Sequence, residues 1–184
     1  MTVTIARWTL ADYHHLVQAG LLAGRSIELL NGLIVEMPPE GPEPADTSTR
    51  LMPLLWGVAQ GRYQVRAAKP ISIPPSDSEP EPDIALVRDR SYRSAHPHPE
   101  DIFLVIEFSN TSLAKDTEDK PLVYAQAGIA DYWVVNLRDR CVILYRRPAE
   151  GRYQSEQTLF SGEIAPLAFP DVTVNISRLL ANES

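Results

Sequence analysis

The feature that most constrains this chain is a nearly unbroken apolar run, IFLVIEF, at residues 102–108. A run without polar alternation is typical of a strand that is buried on both faces of its sheet. Such a strand needs other elements packed on each side of the sheet. The run therefore predicts an α/β fold in which residues 102–108 form a central strand.

Patterns on either side of this run predict the remaining elements. The Asn31-Gly32 pair between two apolar runs predicts a hairpin with strands at about 26–30 and 33–37. Helices are expected from Thr9 to Gly20 or Gly24, and at about 46–59, 118–127 and 176–180. Further strands are expected at 63–67, 70–73, 83–87, 132–136, 141–147 and 153–160. The fold class is thus α/β (α+β), a mixed central sheet flanked by helices, with an N-terminal helix and β-hairpin, in one domain over residues 1–184.

The second helix carries a clear apolar pattern. The residues expected to face the core are Leu51, Leu54, Leu55 and Val58. Pro53 lies among them and is expected to kink or restart the helix. Trp56 and Trp133 are interpreted as core aromatic residues.

Composition excludes several classes of protein. The chain has 17 Lys and Arg against 24 Asp and Glu, which gives a net charge of -7. This charge argues against a strongly basic nucleic-acid binder, because the long-range attraction for phosphate is missing. An acidic chain can still act on nucleic acid if metal ions lie between its carboxylates and the phosphate.

No apolar stretch approaches the ~20 residues that span a bilayer, and the N-terminus lacks a signal-peptide pattern. A single cysteine, Cys141, excludes a disulfide framework, and we expect a cytoplasmic protein without a membrane partner.

Two acidic residues indicate a metal site. Glu107 is the charged residue inside the apolar run, where an unpaired carboxylate is costly and should be neutralised, paired or bound to a metal. Asp83 stands at the entrance of the strand expected at 83–87, directly after Pro82. Carboxylates on adjacent strands can share one divalent cation, and ligation by oxygen alone suits Mg²⁺ or Mn²⁺.

Lys120 and Glu28 are further candidates. Lys120 lies 13 residues beyond Glu107, and Pro121 supports its placement in the first turn of the following helix. Glu28 is an acid inside the apolar hairpin strand IELL. Each candidate also has an ordinary structural explanation: a hairpin ion pair for Glu28, a turn for Asp83, a buried structural acid for Glu107 and a solvated lysine for Lys120.

Together these residues resemble the PD-(D/E)XK phosphodiesterase superfamily, which has the restriction-endonuclease-like fold. Pro82-Asp83 is similar to its PD, and Glu107-Phe108-Ser109 is similar to its (D/E)XK tripeptide, with Ser109 in place of the lysine. The closer resemblance is to the putative restriction endonuclease family, long catalogued as a domain of unknown function. The motifs that carry it are, in order, SIELLNG at 26–32, EPD at 81–83, LVIEFS at 104–109, a D…K pair, and YAQAGIADYWVV at 124–135. The likeness spans roughly residues 9–180.

The resemblance implies a metal-dependent endonuclease that hydrolyses phosphodiester bonds in DNA. Asp83, Glu107 and the carbonyl of Phe108 would hold Mg²⁺ or Mn²⁺. Lys120 would replace the lysine missing from the tripeptide, with Lys115 as its substitute, and Glu28 would bind a second metal or position Lys120. Nucleases of this class often pair, so a homodimer is a further expectation by analogy.

One departure from the family pattern keeps an alternative open. Family members often carry a histidine near the start of the second helix, where this chain has Asp46. The substitution favours a catalytically weak or inactive nuclease-fold interaction module, accessory to a defence system or mobile element. A metal-independent small-molecule enzyme is a third interpretation, but no motif supports it.

Overall fold

The computed structural model describes residues 4–180 of the chain. Within that range the helices are α1 (Leu10–Gln18), α2 (Pro42–Gly57), α3 (Lys120–Gln126) and α4 (Ile176–Leu179). The strands are β1 (Ile27–Leu30), β2 (Leu33–Glu36), β3 (Tyr63–Ala67), β4 (Ile84–Arg88), β5 (Ile102–Ser109), β6 (Asp131–Asn136), β7 (Cys141–Ala149), β8 (Arg152–Leu159), β9 (Glu163–Ile164) and β10 (Val174–Asn175). A π-helical turn at Lys115–Asp119 leads directly into α3. The one-domain organisation over residues 1–184 stays a prediction, since it includes termini outside the described range.

Six strands form the central sheet in the order β3-β4-β5-β6-β7-β8. Neighbouring strands run antiparallel, except that β5 and β6 run parallel. Parallel neighbours need a crossover connection, and here the π-helical turn and α3 carry the chain from the end of β5 to β6. The predicted mixed sheet flanked by helices is confirmed.

Both faces of β5 are buried, as its apolar run predicts. Ile106 packs into a core that the sheet forms with α2 and α4, whereas Val105 packs into a second core beneath α3. Successive side chains of a strand alternate between faces, so Glu107 lies on the same face as Val105. The α3 face of the sheet is therefore the one that carries this carboxylate.

The N-terminal hairpin forms where the sequence predicts it. Asn31 and Gly32 both have positive φ, 49° and 72°, as the tight two-residue turn between β1 and β2 requires. All four residues of β1 are buried. Thr9 caps α1 in a capping box with Asp12, and Tyr13 of this helix packs against the hairpin. The hairpin thus holds β1, with Glu28, against the rest of the protein.

The segment expected as a strand at 70–73 does not join the sheet. Ile73 forms an isolated bridge with Ser78, and the N–H of Ser72 donates to the carbonyl of Pro97. Pro70 has no N–H for a ladder, and the prolines at 74 and 75 start a 3-10 turn. The strand prediction at this place is wrong because the N–H groups of residues 71–73 donate to the carbonyls of Pro80, Pro97 and Ser78 and not to a strand of the sheet.

The orientation predicted for α2 is correct for two leucines and wrong for three other residues. Leu51 and Leu55 are buried, as expected for residues four apart on one helix face. Leu54, Val58 and Trp56 are 47%, 40% and 55% exposed, so they are not core residues. The helix also starts at Pro42 rather than near residue 46, because proline is tolerated in the first turn.

No helix within residues 4–180 is long and apolar enough to cross a bilayer.

Candidate active site

Asp83 and Glu107 lie opposite each other at one end of the central sheet. β4 and β5 pair with Ile84 opposite Ile106, so Asp83 and Glu107 take the next register position. Side chains directly opposite in an antiparallel pair share one face, with Cβ atoms ~5 Å apart. The structure therefore brings the two predicted metal ligands together.

The backbone of Phe108 also faces this position. Its N–H donates to Asp83 Oδ2 at 2.6 Å, because β4 starts only at Ile84 and leaves this part of β5 without a neighbouring strand on that side. The N–H and C=O of one residue in a strand point the same way, so the Phe108 carbonyl is directed toward Asp83 as well. Asp83, Glu107 and Phe108 all line a cavity of about 180 Å³.

Lys120 reaches Glu107 from the start of α3. Its Nζ lies 2.7 Å from Glu107 Oε1, and its side chain is only 3% exposed. The chain is already helical before Lys120, because the π-helical turn precedes it. Pro121 has no N–H to donate to that turn, and the wider turn accommodates it. Lys120 thus begins α3 as expected, but within a longer helical segment than the sequence predicts.

Glu28 contacts both lysines of the site. Its Oε1 accepts a hydrogen bond from Lys115 Nζ at 2.8 Å, and its Oε2 lies 3.8 Å from Lys120 Nζ. The N–H of Glu81 also donates to Oε2, at 3.2 Å. Since these groups already surround both oxygens of Glu28, the geometry favours positioning of Lys120 over binding of a second metal.

Asp116 is a member of the site that the sequence analysis did not select. Its Oδ2 accepts hydrogen bonds from Ser109 Oγ at 2.7 Å and from Ser112 Oγ at 2.5 Å. Its Oδ1 lies 3.5 Å from Lys120 Nζ and has no hydrogen-bond partner among residues 4–180. Asp116 therefore adds a third carboxylate around the ammonium of Lys120, beside Glu28 and Glu107.

Tyr124, which the sequence predicts only as part of the motif at 124–135, is also a member of the site. Its hydroxyl donates to Glu107 Oε1 at 3.1 Å, and its side chain is fully buried. Asp116, Lys120 and Tyr124 are spaced four residues apart, which places them on one face of a helical segment. That spacing is the signal by which the sequence could have indicated all three.

Burial raises the pKa of both candidate metal ligands. For Asp83, desolvation outweighs the hydrogen bond from Phe108 and raises the pKa from 3.8 to about 6. For Glu107, burial together with the neighbouring carboxylates outweighs the attraction of Lys120 and raises the pKa well above its ordinary value. A raised carboxyl pKa means that the site retains protons, which a metal cation can displace.

Lys120 keeps its charge in this environment. Burial alone lowers the pKa of Lys120, but the attraction of Glu107, Glu28 and Asp116 is larger in sum and places that pKa above its ordinary value. With Asp83, the cluster has four carboxylates against the ammonium groups of Lys120 and Lys115. Once a cation displaces the protons held by Asp83 and Glu107, the carboxylates outnumber the two lysines, and this excess of negative charge suits a divalent cation.

The donor atoms fit a hard cation of the Mg²⁺ class. Within residues 4–180, the hydrogen bonds to Asp83 and Glu107 use Oδ2 and Oε1, which leaves Oδ1 and Oε2. With the Phe108 carbonyl, these make a set of oxygen ligands. The described residues hold no group of three or more His, Cys, Asp and Glu side chains arranged for a metal. An ion here would therefore need the backbone carbonyl and water to complete its ligands.

Comparison with known proteins assigns the chain to a family. The sequence pattern of Uma2, described as putative restriction endonuclease, matches residues 10–177. The chain belongs to the Uma2 family. This confirms the resemblance that the ordered motifs indicate. No curated protein matches the chain in sequence.

A solved structure shares the fold. The crystal structure of a putative nuclease belonging to DUF820 from Anabaena variabilis ATCC 29413 has a TM-score of 0.72 and covers 94% of this chain and 97% of its own. The two sequences are 15% identical, so the likeness bears on the fold. It confirms the predicted α/β fold with a mixed central sheet.

Asp46, the departure from the family's frequent histidine, lies outside the cavity. It is on α2, its side chain is 61% exposed, and it pairs with Arg50 at 2.6 Å. The residues near the start of α2 that do line the cavity are Glu40, Gly41 and Pro44. In this Uma2 protein, Asp46 is thus not part of the cavity wall, and its effect on catalysis stays a prediction.

Proposed function

We propose that this protein is a Mg²⁺- or Mn²⁺-dependent endonuclease that hydrolyses phosphodiester bonds in DNA. The observation that carries the proposal is the meeting of Asp83, Glu107 and Lys120 at one cavity of a Uma2 family protein. The three groups come from the entrance of β4, from β5 and from α3. The tertiary fold brings them together, so that two carboxyl ligands lie beside the positive charge of Lys120.

The surroundings of each residue define its proposed role. Asp83, Glu107 and the Phe108 carbonyl bind the cation. A bound divalent cation lowers the pKa of a water molecule and offsets charge on the scissile phosphate. Because Lys120 stays protonated, it stabilises the negative charge that develops on the phosphate oxygens and does not act as a base. Glu28 holds Lys120 in place through its Oε2.

The charge of the chain limits how it can bind DNA. A protein with a net charge of -7 does not attract phosphate over long distances. Attraction therefore has to come from the metal and from local basic groups. Cleavage of both strands of a duplex needs two sites, so a homodimer is part of this proposal.

A catalytically weak interaction module is the second candidate. The direct contact between Lys120 and Glu107 favours it, because this ion pair satisfies one Glu107 oxygen without any metal. In that case the carboxylates and lysines form a structural network, and the protein acts by binding a partner.

A plasmid-nicking assay separates the two candidates. The parent should nick supercoiled DNA with Mn²⁺ and not with EDTA. Glu107→Gln keeps the size of the side chain but loses the charge that offsets cation dehydration. We expect it to abolish nicking and the heat of Mn²⁺ binding, with the fold retained in circular dichroism. Glu156→Gln, at an exposed position on β8, is the matched control and should nick like the parent.

Two outcomes would count against the nuclease. A folded Glu107→Gln variant that binds Mn²⁺ with the parental heat would contradict the metal assignment. A parent that neither nicks DNA nor binds Mn²⁺ would favour the interaction module.

A further inference from the structure

Asp116 has a buried carboxylate oxygen without a hydrogen-bond partner. Its side chain is only 3% exposed, and its Oδ1 has no partner within residues 4–180. An unpaired acceptor on a buried charged group is costly. The same oxygen lies 3.5 Å from Lys120 Nζ, which is just too long for an ordinary N–H···O hydrogen bond. Since Asp116 also lines the candidate active-site cavity, this unpaired oxygen belongs to the site.

The rest of Asp116 is held in place by hydrogen bonds. Ser109 Oγ and Ser112 Oγ donate to its Oδ2, and the Tyr132 hydroxyl donates to its backbone carbonyl at 2.7 Å. Its own backbone N–H donates to the carbonyl of Ser112 at 3.1 Å. These bonds fix the direction of Oδ1. A contact between Oδ1 and the ammonium of Lys120 therefore forms when Lys120 moves.

Ser109 links this arrangement to the tripeptide at 107–109. It is the residue that stands where the superfamily has its lysine, and it is fully buried. Alternate residues of a strand share a face, so its side chain lies on the same face of β5 as Glu107. The hydroxyl at this position thus holds Asp116 beside Lys120, the lysine that α3 supplies.

Lys120 has one close carboxylate partner and two more distant ones. Its Nζ lies 2.7 Å from Glu107 Oε1, 3.5 Å from Asp116 Oδ1 and 3.8 Å from Glu28 Oε2. Glu28 Oε2 already accepts the N–H of Glu81, whereas Asp116 Oδ1 accepts no hydrogen bond from the described residues. An ammonium has three donors. Of the two distant carboxylates, Asp116 is therefore the nearer one and the one with an open acceptor.

A cation on Glu107 changes which partner suits Lys120. Under the proposed function, Glu107 binds Mg²⁺ or Mn²⁺. The cation and the ammonium are then two positive charges on one carboxylate, and they repel each other. The repulsion is strong because water screens little in a buried site. It favours movement of the ammonium from Glu107 toward Oδ1 of Asp116.

We propose that Asp116 is a positioning residue that accepts the ammonium of Lys120 when Glu107 binds the cation. The hydrogen bond satisfies Oδ1 and keeps Lys120 charged at the cavity, with donors left for the phosphate oxygens. The inference rests on the proposed function for one point, the assignment of Glu107 as a metal ligand. It does not depend on cleavage of DNA.

A crystal structure of the parent with Mn²⁺ tests the contact directly and needs no variant. We expect Lys120 Nζ within ~3.2 Å of Asp116 Oδ1, and farther from Glu107 Oε1 than the present 2.7 Å. A structure with Mn²⁺ on Glu107 in which Lys120 keeps its contact with Oε1, and Oδ1 of Asp116 stays unpaired, would overturn the inference.

Calorimetry with Mn²⁺ tests the energetic link without any DNA. Asp116→Asn keeps the size of the side chain and an oxygen for the two serines, but it leaves no carboxylate oxygen for Lys120. We expect Mn²⁺ affinity to fall about tenfold, because Lys120 then stays on Glu107 and competes with the cation. Asp119→Asn is the matched control: it removes the same charge from the same π-helical turn at an exposed position, and should retain the parental affinity.

A double-mutant cycle separates positioning from the plain loss of a negative charge. In a Lys120→Ala background there is no ammonium to move, so Asp116→Asn should lower Mn²⁺ affinity by less than about threefold. Equal losses in both backgrounds would mean that Asp116 acts on the cation through its charge alone, and the positioning role would be wrong. Circular dichroism checks that each variant is folded. If Lys120→Ala does not fold, the crystal structure with Mn²⁺ still decides the question.

Plasmid nicking at saturating Mn²⁺ gives a readout on Lys120 itself. Asp116→Asn should lower kcat about tenfold with KM for DNA retained, because Lys120 acts on charge that develops in the transition state. If the cycle shows the coupling but the parent does not nick DNA, Asp116 keeps its positioning role and the nuclease proposal fails. If the parent nicks DNA with Mn²⁺ but the cycle shows no coupling, this inference fails alone. A parent that binds no Mn²⁺ would contradict both this inference and the metal assignment.

Discussion

Replacement of Asp83 by asparagine should change how the stability of the metal-free protein depends on pH. Burial raises the pKa of Asp83 to about 6 in the folded protein, from an ordinary value of 3.8. At pH values between these two, the folded protein binds more protons than the unfolded protein. The free energy of unfolding therefore falls as the pH rises through this window. The asparagine of Asp83→Asn has no titrating proton, so the variant lacks this contribution.

The magnitude follows from the two pKa values. A shift of about two units corresponds to ~3 kcal/mol over the full range, and part of that range lies below pH 4.5. Between pH 4.5 and pH 7, the parent should lose about 2 kcal/mol of stability relative to Asp83→Asn. Saturating Mn²⁺ should remove this loss, because a bound cation stabilises the ionised carboxylate of the folded state.

Urea denaturation followed by circular dichroism measures this difference at both pH values, once in EDTA and once in Mn²⁺. Comparison with Asp83→Asn cancels the titration of the groups that do not interact with Asp83. Parallel pH dependence of the parent and the variant in EDTA would refute the raised pKa of Asp83. A loss that persists in saturating Mn²⁺ would refute Asp83 as a metal ligand.

Two further predictions concern the lysines of the site and the orientation of α2. Lys120→Ala should lower Mn²⁺-dependent nicking by on the order of 10²–10³-fold. It should not weaken Mn²⁺ binding, since lysine is not a ligand. If this variant nicks DNA like the parent while Lys115→Ala does not, Lys115 is the lysine that stabilises the charge on the phosphate. Leu55→Ala should lower the free energy of unfolding by about 2–5 kcal/mol because its side chain is fully buried. Leu54→Ala, at a position that is 47% exposed, is its control and should cost less than about 1 kcal/mol; equal losses in chemical denaturation would contradict the orientation of α2.

The predictions that succeeded rest on local patterns. The apolar run at 102–108 indicates a strand buried on both faces because every residue in it must avoid water. Asn31-Gly32 indicates the hairpin because its turn needs positive φ at both residues. Glu107 stands out as a candidate because a charge in such a run needs a partner. Each of these constraints acts within a short segment of the chain.

The predictions that failed depend on what each segment meets. Leu54 and Leu55 are neighbours of the same type, and only the packing of α2 on the sheet decides which of them is buried. The expected strand at 70–73 has an apolar pattern, yet its N–H groups donate to carbonyls outside the central sheet. Asp116 was not predicted as a site residue because its role depends on its contact with Lys120 Nζ, which lies 3.5 Å away.

The sequence by itself determined the strands of the central sheet, the hairpin and the family, because each rests on side-chain patterns within a segment or on motifs in order. Only the tertiary structure decided how the charges pair. Glu28 and Lys115 are 87 residues apart in the chain but 2.8 Å apart in space, and Lys120 is shared among Glu28, Glu107 and Asp116. Electrostatic energies depend on distance and burial, and both quantities exist only once the hairpin, β5 and α3 have packed together.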